Sequence, residues 1–141
     1  MRFPEQARNA AEGVYPAQWA KATTRGDAER PLAWARIIGE VHRRELGETM
    51  ASDAVAAIDR APESTRAHLR RGHVAYADGR RALANRDFVR AETLLRLAQR
   101  ELTAGGSPMA KTAEGFVAAA LINRTRTDLA SPIVESLLAA K

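Results

Sequence analysis

YADGRRALANRDFVRAETLLRLAQRELTAGGSP, residues 76–108, is the stretch that decides the fold. Gly79 is followed nine residues later by Phe88, then three later by Ala91 and seven later by Ala98. At that spacing two antiparallel helices close on one another, because a side chain larger than methyl at the crossing would push them apart. Upstream, Leu69, Gly72, Tyr76, Gly79 and Leu83 recur in steps of three and four, which predicts a long helix over 64–85. Asn85-Arg86-Asp87 reads as the turn, with Asp87 capping the next helix. Phe88, Ala91, Leu95, Ala98 and Leu102 form that helix's apolar stripe. Gly105-Gly106 stops it, and Ser107-Pro108 starts another, with Ser as cap and Pro in the first turn.

Working outward, Pro31 is expected to open a helix reaching about residue 46. Trp34, Ile37, Ile38 and Val41 form its apolar stripe, and Glu40 and Arg44 can pair one turn apart. Gly47 stops it, and Thr49 or Ser52 can cap a helix lined by Met50, Ala54, Ala57 and Ile58 and ended by Pro62. Residues 4–12 and the phrase Tyr15-Pro16-Ala17-Gln18-Trp19-Ala20 predict two short helices, broken near Gly13, and polar residues 23–30 read as a loop. Beyond the central hairpin, Met109, Ala113, Phe116 and Ala120 line one helix. Ser131-Pro132 signals the start of a last one carrying Ile133, Val134, Leu137 and Leu138.

These elements predict one all-α domain over 1–141, built from antiparallel helix-turn-helix pairs, with an irregular helical bundle as the alternative. Its parts are short N-terminal helices and a loop at 1–30, a weak repeat at 31–62, the best repeat at 64–106 and a C-terminal helix pair at 107–141. The 141 residues fit one domain with a real core. Thirty alanines and only 5% aromatic residues suit closely packed helices.

The central hairpin resembles a tetratricopeptide repeat (TPR), carried by Gly79, Phe88, Ala91 and Ala98. A second stretch, with Trp34, Ile37, Val41, Ala57 and Pro62, is similar to the same motif, but Ile38 stands where a small residue is usual and Met50 where Ala is usual. The resemblance implies a TPR-like α-solenoid, a scaffold that binds rather than catalyses. Tyr15–Ala20 and Arg25-Gly26-Asp27-Ala28-Glu29 also resemble divergent repeats that flank CHAT (caspase-like) domains in bacterial proteins. That likeness implies, as an alternative, a regulatory domain of a larger enzyme such as a CHAT protease.

Chemistry-bearing patterns are sparse. Without cysteine there are no disulfides, thiolate nucleophiles or cysteine zinc sites. His42, His68 and His73 show no metal-binding spacing and read as surface or partly packed side chains. Glu40, Glu45 and Glu48 are interleaved by Arg43 and Arg44, as in solvated ion pairs. No catalytic, cofactor-binding or metal-ligating residue is expected, so the chain reads as a non-enzyme without a cofactor. No apolar run approaches a membrane span and the start lacks a secretory apolar core, which makes a cytoplasmic protein the expectation.

Charge is the feature above background. The net charge is +5, from 19 Arg and 3 Lys against 17 acidic residues. Residues 64–104 hold nine Arg and four acids, and so the whole surplus; the remainder balances at 13 and 13. Arg66, Arg70 and His73 fall on one side of their helix with Arg80 and Arg81 continuing, and these five are the candidate binding residues. Arg86, Arg90, Arg96 and Arg100 extend the face from the next helix. The expected partner is a protein or peptide, with an acidic segment suited to the arginines. Nucleic acid is the alternative, disfavoured because that face carries no aromatics for base stacking.

Overall fold

Helices α5 (Glu63–Ala84) and α6 (Phe88–Ala104) form the hairpin expected from the central stretch. The turn is closed by Asn85 N–H donating to the Arg81 carbonyl at 3.0 Å and Asp87 N–H to that of Ala82 at 2.9 Å. The Asp87 carboxylate caps α6 by accepting from Arg90 N–H at 3.2 Å. The two helices touch through glycine–leucine pairs. A Cβ on Gly79 would lie 2.7 Å from Leu95 Cγ, one on Gly72 2.7 Å from Leu102 Cγ, and one on Gly105 2.6 Å from Leu69 Cγ. The pairs stand eight, fifteen and eighteen residues either side of Asp87, so a single register runs the length of the hairpin. Ala91 and Ala98 are fully buried along the same seam.

The structure, a computed structural model, describes residues 2–124 and 127–140. Gly106, at φ +72°, turns the chain into α7 (Met109–Asn123), and Ser107 Oγ accepts from Met109 N–H at 3.2 Å as the expected cap. Helix α7 packs on α6, and α8 (Thr127–Ala139) packs on α7. Ser131-Pro132 does not start α8. The helix begins at Thr127 and runs through Pro132, whose ring is exposed and which costs the helix one backbone bond. Of its expected stripe, Ile133 and Leu137 are partly buried, whereas Val134 and Leu138 stay exposed.

At the other end, α1 (Arg2–Asn9), a π-helical turn (Ala10–Val14) and α2 (Tyr15–Lys21) run on continuously, with helical dihedrals at Asn9 and Tyr15 on either side of the turn. Gly13 therefore does not break the chain as expected. A Cβ there would meet Tyr76 Cε1 at 3.6 Å, an ordinary contact, so the π turn lies against α5. Helix α2 packs between α3 (Arg25–Leu46) and α5.

Two expectations for α3 are corrected. The loop read over 23–30 is mostly helix, because Thr24 caps at Oγ1 by accepting from Asp27 N–H at 3.1 Å. Pro31 falls inside the helix rather than opening it. The helix is also turned about its axis from the expected orientation. Pro31, Leu32, Ala35, Gly39 and His42 are buried, while Trp34, Ile37 and Val41 are 51%, 55% and 51% exposed. The cause is the crossing with α4 (Met50–Arg60), where a Cβ on Gly39 would lie 2.9 Å from Ser52 Oγ and 3.0 Å from Ser52 N. The small residue sought at position 38 is supplied one position later, and that rotates the large apolar residues outward.

Gly47, at φ +69°, ends α3, with Glu48 N–H reaching the His42 carbonyl at 3.3 Å. Every regular element among the described residues is helical, and one core runs from Trp19 and Leu32 through Tyr76, Leu95 and Leu102 to Met109 and Leu121. No helix among the described residues is long and apolar enough to cross a membrane.

Candidate binding groove

The end of α2, the first half of α3, the end of α4 and the start of α5 border an open cavity of about 720 Å³. Trp19 and Leu32 line its apolar side. Arg66 and Arg70, one turn apart on α5, face Arg36 and Arg25 from α3. Arg36 is paired with Asp59 at 2.6 Å and Arg25 with Glu29 at 2.9 Å. Arg66 donates through Nε to the Ile58 carbonyl at 3.4 Å, which anchors its stem. Arg70 lies over the Trp19 ring at 5.4 Å, and its carboxylate partner, Glu63, is a distant 3.9 Å away. Four lining arginines against the two lining carboxylates, Glu29 and Asp59, with Glu63 outside the lining, leave the cavity cationic, with Arg66 and Arg70 the less neutralised.

His73 does not join them at the surface. It lies on the same side of α5, but α2 covers it: Trp19 packs edge-on at 6.3 Å and the imidazole is 0% exposed. Neither ring nitrogen has a hydrogen-bond partner among the described residues, and burial pushes the imidazole down to about 4. His42 is also buried, so two of the three histidines expected at or near the surface lie inside.

Arg80 and Arg81 stand about 15 Å further along α5 from Arg70 and its neighbour. Arg80 lies 3.8 Å over the Phe116 ring and donates through Nη1 to the Tyr76 hydroxyl at 3.1 Å. Burial raises that phenol, while the Arg80 charge and hydrogen bond oppose the shift. Arg81 pairs with Asp78 at 3.3 Å on the surface. The five candidate residues thus occupy three environments: Arg66 and Arg70 on the cavity, His73 inside the core, Arg80 and Arg81 beyond it.

The rest of the basic face is interrupted by carboxylates. Arg71 and His68 both reach Glu101, at 3.2 and 2.6 Å, and those contacts, His68's first, hold its carboxyl below the ordinary value. Arg96 and Arg124 share Glu92. Arg90 and Arg100 have no ion pair among the described residues. The aromatics thought absent from this face are present: distant elements deliver Trp19 under Arg70 and Phe116 under Arg80, and Phe88, two residues along, lies under Arg86.

Trp19, Arg36 and Asp59 were missed from the candidate set. They lie on three elements, and the packing of α3 against both α2 and α4 brings them together. Elsewhere, Glu12 in the π turn is 9% exposed, and burial holds its carboxyl above the ordinary value against the pull of Arg8. Among the described residues no three His, Asp or Glu side chains group as metal ligands.

Comparison of the chain with protein-family models, curated proteins and solved structures finds no match.

Proposed function

We propose that the chain is a non-catalytic binding module whose cavity at Trp19, Arg66 and Arg70 takes an acidic protein segment. The observation that carries this reading is the state of Arg70. Its guanidinium is held in place by Trp19, while its nearest carboxylate is 3.9 Å away. A cation that is preorganised and poorly neutralised loses little entropy on meeting an incoming carboxylate. Ala22, Ala28 and Ala33 supply apolar surface beside the arginines against which such a segment can lie. A TPR-like arrangement of α5, α6 and α7 agrees with a scaffold role, supported by the single glycine–leucine register of the hairpin and the packing of α7 on it.

A peptide partner is favoured over nucleic acid because the Trp19 and Phe116 rings beside Arg70 and Arg80 are already covered by guanidinium groups, so neither ring is offered to a base. Fluorescence anisotropy with a panel of labelled acidic peptides and a labelled DNA duplex separates the two. Peptide binding that Arg66→Glu/Arg70→Glu removes supports the proposal. Duplex binding that falls steeply with salt, with no peptide bound, assigns the basic surface to nucleic acid instead.

A further inference from the structure

Arg30, Trp34, Ile37, Val41 and Glu45 share one stripe of α3, at steps of four, three, four and four. The three apolar members are about half exposed, on a face opposite to Pro31, Leu32, Ala35, Gly39 and His42 in the core. Large apolar residues grouped on a surface mark an interaction site. Arg30 and Glu45 are exposed, and neither has an ion-pair partner among the described residues. Within one chain they are fifteen residues apart, about 22 Å along the helix, too far to pair with each other.

We propose that this stripe is a homodimer seam, in which α3 of two copies packs antiparallel about a two-fold axis between Ile37 and Ile38. That register sets Trp34 opposite Val41 of the second copy and Ile37 opposite its Ile38. It also sets Arg30 opposite Glu45 of the second copy, twice by symmetry. The stripe is therefore complementary to itself, both in side-chain bulk and in charge, as a two-fold interface requires. Parallel pairing would instead oppose Arg30 to Arg30 and Glu45 to Glu45. Leu32, Arg36 and Glu29, which line the cationic cavity, lie on the other flank of α3, so the dimer leaves that cavity open and neither proposal depends on the other.

Sedimentation of the whole chain over a concentration series tests this. The wild type dimerises reversibly, and Ile37→Glu is monomeric throughout. Arg30→Glu and Glu45→Arg each raise the dimer dissociation constant about tenfold or more, since each replaces two attractive pairs with two repulsive ones. The double variant R30E/E45R returns to within about threefold of the wild type, because the charges are exchanged rather than lost. All these side chains are exposed, and far-UV circular dichroism of each variant matches the wild type. The proposal is overturned by a wild type that stays monomeric, by a dimer that Ile37→Glu leaves intact, or by a double variant weaker than either single one.

Discussion

Gly79 and Leu95 stand eight residues either side of Asp87, and a Cβ on the glycine would come within 2.7 Å of the leucine Cγ. Gly79→Ala is therefore expected to destabilise the protein by about 1–3 kcal/mol, because overpacking outweighs the gain of up to about 1 kcal/mol in helix propensity. Gly115 is the contrast. It also sits inside a helix, but its nearest neighbour is Leu137 Cδ1 at 4.0 Å. Gly115→Ala is expected to stabilise by about 0.5–1 kcal/mol. Urea unfolding of the two variants gives opposite signs.

His73 makes stability depend on pH. Unfolded, its imidazole titrates at the ordinary 6.5; folded, burial holds it at about 4. Between those values the unfolded chain binds the extra proton. Stability is thus steady above about pH 6.5 and falls as pH drops toward about 4, by a total on the order of 3 kcal/mol. Glu12 acts in the opposite sense, since its raised carboxyl favours the folded state as it protonates. His73→Leu removes the unpartnered nitrogens and should flatten the slope between pH 6.5 and 4.5, measured as urea midpoints against the wild type. An unchanged slope would show that other groups carry it.

Arg80 and Arg81 are adjacent in sequence and different in role. Arg80→Ala loses the Phe116 stacking and the bond to the Tyr76 hydroxyl, and should cost about 1–2 kcal/mol. Arg81→Ala should lie within about 0.5 kcal/mol of the wild type, since its pair with Asp78 is solvated. Thermal unfolding of the two variants distinguishes them.

Arg86 adopts φ +63°, a conformation that costs a residue with a Cβ about 1 kcal/mol. Arg86→Gly should raise stability by up to that amount, less the contribution of its 6.0 Å approach to Phe88. Its unfolding midpoint reports the difference.

The central hairpin was legible because small and large residues alternate in both of its helices, with Asp87 to mark the turn. Helix α3 was less so. Gly26 and Pro31 hid its first turns, though Thr24 three residues before Asp27 was a readable cap. Its apolar periodicity located a stripe without saying which side faces the core, and Gly39 against Ser52 decided that. The candidate groove was half legible. Arg66 and Arg70 share a helix and a face, so their spacing placed them side by side. The burial of His73 and the stacking of Arg70 both depend on Trp19, more than fifty residues earlier in the chain, and no local pattern encodes that contact.

The direct measurement of the binding role is a comparison of two variants that change charge equally. Arg66→Glu/Arg70→Glu alters the cavity; Arg90→Glu/Arg100→Glu alters exposed arginines on α6 that do not line it. With labelled acidic peptides at low salt, the first should bind at least about tenfold more weakly than the wild type, and the second within about threefold, since long-range effects of exposed charges are small. Equal losses in both variants, or no binding by the wild type, would contradict a binding site at Trp19, Arg66 and Arg70.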